Sequence, residues 1–341
     1  MTEDLRPGVQ GPGASGIGSL PGSDLPAALR LVFDGLGGAP GVPYLPELPA
    51  RGVGADLTGR AIALLVEVAA EVAPSGWRVA DRPGRDHGRA LGYLRRDLDV
   101  LEEQTQEYTG PLKVQVVGPW TLAATLELRH GDKFLADRGA CRDLAESLTE
   151  GALRHLEELK RRVPGADLVL QLDEPALPGV LRGSVPTASG FGSLRAVEEP
   201  LARQTLRQLV DAVGPVPVVV HCCAPDVPLG TLRGAGAAAI SLDWSLLTTR
   251  HDEELAELVE AGVGLYAGAV PALEPASGVP PTYQQVVKRI LALRRIGLSA
   301  RQLAGAVTVT PSCGLAGATP RWASRAQRLC LDAAQALADA E

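Results

Sequence analysis

Short apolar or β-branched runs alternate along the chain with longer amphipathic ones, the pattern of repeated βα units around a mostly parallel sheet. Strands are predicted at residues 15–20, 42–45, 112–117, 168–172, 216–220, 238–242, 263–267 and 306–310, the second weakened by Pro43 and Pro46. Helices are predicted over 24–33, 57–72, 89–106, 120–128, 133–162, 194–213, 253–261, 283–296 and 320–340. The last opens on Thr319-Pro320, an N-cap followed by proline at the first helical position. Eight strands separated by helices predict an α/β fold closed as a (β/α)8 TIM barrel, in preference to a doubly wound open sheet. No internal repeat or long linker divides the chain, so 15–341 reads as a single barrel behind a flexible Gly/Pro-rich segment, 1–14. The Gly/Pro-rich stretches 178–192 and 270–281 read as loops at strand ends, where barrels keep their working parts.

Composition narrows the class. With 341 residues, 45% hydrophobic and 21% charged, the chain is long enough for one large α/β unit. No apolar run approaches the roughly 18 residues of a membrane span, so a soluble protein is expected. The net charge of −7, with basic residues scattered in acidic company along the helices, predicts no nucleic-acid partner. The N-terminus carries neither a basic segment nor an apolar run behind it, so no secretory signal is expected. Five cysteines without a disulfide-like spacing fit a reducing cytoplasm.

Unusual polar residues recur within a few positions of the predicted strands' C-terminal ends: Ser19, Glu47, Asp173, Glu174, His221, Cys223, Asp243 and Cys313. In a barrel these positions share one face. His221-Cys222-Cys223 follows the run Val216-Pro217-Val218-Val219-Val220, and in extended chain residues i and i+2 point the same way. His221 and Cys223 are therefore placed to grip one ion while Cys222 faces elsewhere, and Cys313 after Val307-Thr308-Val309-Thr310 offers a third soft ligand. Imidazole with thiolates suits Zn2+. Taken alone, a His-x-Cys also fits small core cysteines beside a hydrogen-bonded histidine. Asp173-Glu174-Pro175 fits binding of an amino group, acid–base work, or helix capping. Ile17-Gly18-Ser19 fits a carboxylate-binding turn or an ordinary one, and Glu47 by itself a solvated loop acid.

In order, Ile17-Gly18-Ser19-Leu20-Pro21, Glu47, Val117-Gly118-Pro119-Trp120-Thr121, Gln171-Leu172-Asp173-Glu174-Pro175-Ala176-Leu177, His221-Cys222-Cys223, Ile240-Ser241-Leu242-Asp243 and Pro311-Ser312-Cys313-Gly314-Leu315 resemble the C-terminal catalytic barrel of cobalamin-independent methionine synthase. The wider superfamily includes uroporphyrinogen decarboxylase. The last four pieces are specific individually, and the match runs from Ile17 to the final helix. The resemblance implies a cytoplasmic zinc-dependent S-methyltransferase of methionine biosynthesis, with zinc held by His221, Cys223, Cys313 and a carboxylate at Asp243. It implies that Ile17, Gly18 and Ser19 hold the carboxylate of homocysteine, while Glu47 and the catalytic Asp173 hold its ammonium group. The thiolate, stabilised by zinc at neutral pH, then attacks a methyl group in an SN2-like transfer.

Three features depart from the family. Asp243 stands where the family has glutamate, and Ala269 where it has a histidine thought to assist protonation of the folate leaving group. The family's full-length enzymes also carry a second, N-terminal barrel that helps bind methylfolate, for which 341 residues leave no room. Two of these departures concern the methyl donor, so the expectation is a donor other than or in addition to methylfolate: a corrinoid protein or methylcobalamin, whose cob(I)alamin leaves without a proton. The alternatives are a zinc alkyltransferase for a different thiol and a non-catalytic zinc- or thiol-binding descendant.

Overall fold

The βα alternation closes on itself. The computed structural model describes residues 8, 9 and 11–340, and its elements run β1 (Gly13–Ser15), α1 (Leu25–Leu36), β2 (Gly41–Val42), α2 (Leu57–Ile62), a hairpin of β3 (Ala69–Ala73) and β4 (Gly76–Ala80), α3 (Arg85–Gln104), β5 (Gly110–Val117), α4 (Pro119–Thr125), α5 (Arg138–Arg162) and β6 (Ala166–Asp173). There follow α6 (Leu177–Arg182), α7 (Glu199–Ala212), β7 (Val218–Cys222), α8 (Leu229–Gly234), β8 (Ala239–Asp243), α9 (Asp252–Glu260), β9 (Gly264–Val270), α10 (Tyr283–Leu291), α11 (Ala300–Ala306), β10 (Val307–Pro311) and α12 (Pro320–Ala338). The hairpin apart, the strands lie in the order β2-β1-β10-β9-β8-β7-β6-β5, all neighbours parallel. Closure comes just past β2. The Lys113 N–H donates to the Pro43 carbonyl (2.9 Å) and the Leu45 N–H to the Lys113 carbonyl (3.0 Å). Pro43 is tolerated there because the bond needs only its carbonyl. A closed (β/α)8 barrel results, and the open sheet is excluded.

Helix starts follow their sequence signals. Thr319 caps α12 by accepting the Trp322 N–H at 3.1 Å, and Thr282 and Ser299 build capping boxes with Gln285 and Gln302. Two expectations fail. The first strand, predicted over 15–20, is Gly13–Ser15, and the residues after it form the turn that carries Gly18 and Ser19. The helix predicted over 57–72 stops at Ile62, and the chain turns into the β3–β4 hairpin. Val66, Val68 and Val72 favour extended chain, Glu67 adopts a left-handed φ of 60°, and Pro74-Ser75 makes the turn back toward Trp77 and Val79. The N-terminal boundary also shifts. Within the segment assigned to 1–14, Gly13 and Ala14 belong to β1, and Val9 is fully buried with Val169, Val219, Ala239 and Tyr266 at the floor of the barrel. Residues 1–7 lie outside the described residues. Among those described, no helix is long and apolar enough to cross a membrane.

Strand alternation sorts the lumen into layers. Above the apolar floor, the inward positions carry Lys113, Gln115, Gln171, His221 and Ser241, all buried, and Asp173 follows at the mouth. Outside the staves, α5 buries His155, whose pKa is lowered to about 3, first by burial and then by the Arg60 charge. An unfolded histidine titrates near 6.5. Between these values the folded chain binds fewer protons than the unfolded one, so this contribution is intact above 6.5 and is lost as pH falls toward 3, at up to about 1.4 kcal/mol per pH unit. The His155→Leu variant is expected to flatten that loss, measurable as urea midpoints at neutral pH and in mild acid.

Candidate metal and acceptor site

The ends of β7 and β10 bring three soft ligands together. Ligand atoms of His221, Cys223 and Cys313 all lie within 4.8 Å of one another. His221 is 3% exposed; its Nδ1 is 2.8 Å from the Ser241 hydroxyl, and its buried Nε2 has no hydrogen-bond partner. A buried imidazole nitrogen left unpaired is costly unless something outside the chain uses its lone pair. The Cys223 and Cys313 sulfurs are 3.0 Å apart. The hydrogen bond from Cys223 is the largest influence holding the Cys313 thiol down to about 4, with burial opposing and His221 adding to the effect. The same bond, then burial, pushes Cys223 up, so one thiolate is favoured in the pair. Cys222 points the other way into the apolar packing, fully buried, and burial pushes its thiol up to about 12. These donors fit a zinc ion: two thiols, one of them readily ionised, and an imidazole whose orientation Ser241 sets.

Asp243 stays outside this group. Its Oδ1 accepts from the Ser245 N–H at 2.8 Å and the Ser245 hydroxyl at 2.6 Å, capping the short turn Trp244–Leu246.

The amino-acid-binding candidates lie on the other side of the cluster. The Ser19 carbonyl accepts from the Leu315 N–H at 2.8 Å, tying its turn to the loop that carries Cys313. The contact is close enough that a Cβ on Gly314 would fall 2.1 Å from the Ser19 hydroxyl. Glu47 pairs beside it: the Leu20 N–H donates to the Glu47 carbonyl (2.8 Å) and the Glu47 N–H to the Gly18 carbonyl (3.0 Å). Its carboxylate meets Arg60 Nε at 3.1 Å, and Arg60 is held in turn by Asp97 at 2.6 Å. Asp173, opposite His221 in register, accepts from Gln171 Nε2 at 2.7 Å. Burial pushes its carboxyl up to about 7; His221 opposes this, Glu47 adds to it, and Gln171 and Lys113 oppose. Glu174 takes the capping role: fully buried, it accepts from the Trp120 and Thr121 N–H groups at 2.9 and 2.7 Å at the start of α4.

Three further residues belong to this lumen: Ser241, Lys113 and Gln115. The last two stand two apart in an otherwise apolar strand, a spacing that turns both to one face but that reads equally as the solvated face of a half-exposed strand. Beside the cluster, over the ends of β8 and β9, lies a cavity of about 630 Å3 lined by Asp243, Trp244, Ala269, Leu273, Arg289 and Ser312. Among the described residues, a larger cavity of about 760 Å3 sits on the barrel's flank between α5 and α7, away from the strand ends.

A closed parallel barrel with an imidazole–dithiol cluster at its mouth is an α/β barrel whose strand ends carry a group able to hold a metal ion. The chain belongs to the family of cobalamin-independent synthase catalytic domains, whose model matches residues 15–336. Among curated proteins, no sequence matches it significantly. Among solved structures it is similar to a B12-independent methionine synthase from Shewanella sp. W3-18-1 in complex with selenomethionine, at TM-score 0.62 and 16% identity, covering 96% of this chain and 98% of that one. That likeness shows a shared fold over nearly the whole length of both chains. The YdjI aldolase from Escherichia coli K12 aligns with a TM-score of only 0.23 at 10% identity, over 71% of this chain and 83% of that one.

Proposed function

We propose that this chain is a zinc-dependent S-methyltransferase that methylates the thiol of homocysteine to give methionine, with a donor other than or in addition to methylfolate. The observation that carries the reading is the unpaired, buried His221 Nε2 beside two thiols, with the Ser19 turn, Glu47 and Asp173 ranged against them. With His221 Nδ1 engaged by Ser241, the ring offers Nε2 as the ligand atom, joined by Cys223 and Cys313. Three protein ligands leave a position for a substrate sulfur. A fourth from Asp243 requires its carboxylate to move, since it lies outside the three-residue cluster with Oδ1 held by Ser245. Zinc held there would supply Lewis-acid stabilisation of a thiolate at neutral pH.

The chain's own residues do the rest. Gly18 and Ser19 hold the substrate carboxylate; Asp173 and Glu47 hold its ammonium group, which favours the ionised form of Asp173 against its burial. The bound amino acid then directs its sulfur into the cluster and excludes water from it. No side chain need be methylated. Ala269 at the donor side offers no proton, which suits a leaving group that departs without one, as from methylcobalamin or a corrinoid protein.

The test is the purified protein assayed for zinc and for methionine formed from homocysteine with methylcobalamin and with methyltetrahydrofolate. We expect about one zinc per chain and donor-dependent methionine that disappears on chelation and returns with zinc. Turnover that survives complete zinc removal would sink the mechanism.

A further inference from the structure

Below the acceptor residues, a lysine is buried in the lumen without touching the metal cluster. Lys113 on β5 has no exposed surface, and its Nζ donates to the Gln171 Oε1 at 2.7 Å and to the Ile17 carbonyl at 2.9 Å. The Tyr44 ring lies 5.2 Å from the same nitrogen. Gln171 completes the circuit: its amide donates both to the Ile17 carbonyl at 2.8 Å and to Asp173 Oδ1 at 2.7 Å. Gln115, its neighbour in register, donates to the Leu45 carbonyl at 2.8 Å and packs under Gly18, where a Cβ would meet the Gln115 amide nitrogen at 2.8 Å. Only glycine therefore fits at position 18 with this amide beneath it.

Two donors on the Ile17 carbonyl, from Lys113 and Gln171, fix the direction of the Ile17–Gly18 peptide and polarise it, which strengthens its N–H as a donor. Among the described residues, no group accepts from the Gly18 or Ser19 N–H. The same lysine orients Gln171, and Gln171 orients Asp173. Burial lowers the Lys113 pKa, with Asp173 and then Glu47 opposing, so its charge is a cost to the fold, and replacing a buried charged group with an apolar side chain of similar volume is often neutral or stabilising.

We propose that Lys113 is a positioning residue that builds the zwitterion-recognition half of the site, setting the Ile17–Ser19 turn for a carboxylate and, through Gln171, Asp173 for an ammonium group. The inference rests on the acceptor reading above and adds that the two subsites are held in common by one side chain, so that they fail together. The acceptor it selects is an α-amino acid thiol, not a thiol bearing either charged group alone.

Calorimetry on the zinc-loaded full chain tests this with three probes: L-homocysteine, 3-mercaptopropan-1-amine, which lacks the carboxylate, and 4-mercaptobutanoate, which lacks the amine. The wild type is expected to bind homocysteine at least about tenfold more tightly than either truncated thiol. Lys113→Met is expected to lose about tenfold or more in homocysteine affinity and to weaken both truncated thiols as well, each through its remaining charged group, so that the preference for homocysteine collapses, with zinc content retained and the melting temperature unchanged or raised. Weakening of one truncated thiol alone would overturn the common support. Homocysteine affinity unchanged in Lys113→Met overturns the proposal. Loss of zinc and of all three thiols together also overturns it, because that pattern marks a merely structural role. If Lys113→Met does not fold, Gln171→Met in the same three titrations decides by the same criteria. A wild type that does not prefer homocysteine fails the acceptor reading itself, and that result is visible before any variant is made.

Discussion

Cys313→Ser is expected to leave the chain without stoichiometric zinc and to lower homocysteine methylation by more than about a hundredfold. Cys313 is the thiol of the pair whose ionisation the site favours, held down to about 4 by the hydrogen bond from Cys223 against the pull of burial. A serine hydroxyl of nearly the same shape does not ionise at neutral pH, so it keeps the packing and removes the ligand. Cys222→Ala is the matched control. It lies next to Cys223 in sequence, but its side chain belongs to the apolar packing behind β7. That variant is expected to bind zinc and turn over normally, at a stability cost of about 1 kcal/mol. Metal analysis by mass spectrometry alongside the methionine assay separates the two; full zinc occupancy in Cys313→Ser would remove the cysteine from the ligand set.

The contrast between Cys222 and Cys223 was legible from alternation alone, and so were the six barrel strands from β5 onward, because each is a short apolar run bounded by glycine, proline or polar punctuation; β1 and β2 are short and displaced from the runs at 15–20 and 42–45. The meeting of His221, Cys223 and Cys313 was legible for the same reason: residues at strand ends in a closed barrel share one mouth. What the pattern did not reveal were choices made by local competition. The 57–72 segment has enough apolar positions to pass for a helix, yet its valines and the Pro74-Ser75 turn make a hairpin against α3. Asp243 sits at the expected strand end, but Ser245, two residues on, supplies a nearer partner for its carboxylate than the cluster does. Asp173 and Glu174, adjacent and chemically alike, part at the end of β6, one into the lumen and one to the start of α4. Lys113 was hidden because a run such as Leu112-Lys113-Val114-Gln115-Val116 reads as a half-exposed strand; only barrel closure buries both of its faces.

The second large effect is expected at Ala269, and it follows from the ring order of the strands. The metal-ligand residues stand at the ends of β7 and β10, and they split the barrel mouth into two arcs. The long arc, running from β10 through β1, β2, β5 and β6 to β7, carries the Ser19 turn, Glu47 and Asp173. The short arc is β8 and β9, and over it opens the cavity of about 630 Å3 that Ala269 lines. A sulfur attacking in line must receive its methyl group from a side its own carbon chain does not occupy. In the proposed reading the amino acid lies along the long arc, which leaves the short arc as the side for the donor. Ala269→Phe places a ring in that cavity and is expected to lower transfer from methylcobalamin or methyltetrahydrofolate, whichever the wild type uses, by about a hundredfold. Homocysteine affinity and zinc content are expected to stay at wild-type values, because Ala269 stands on β9, which belongs neither to the long arc nor to the strands that carry the three ligands. Calorimetry with homocysteine, metal analysis and donor-dependent rates distinguish these effects, and turnover unchanged in Ala269→Phe would move the donor out of the β8–β9 arc.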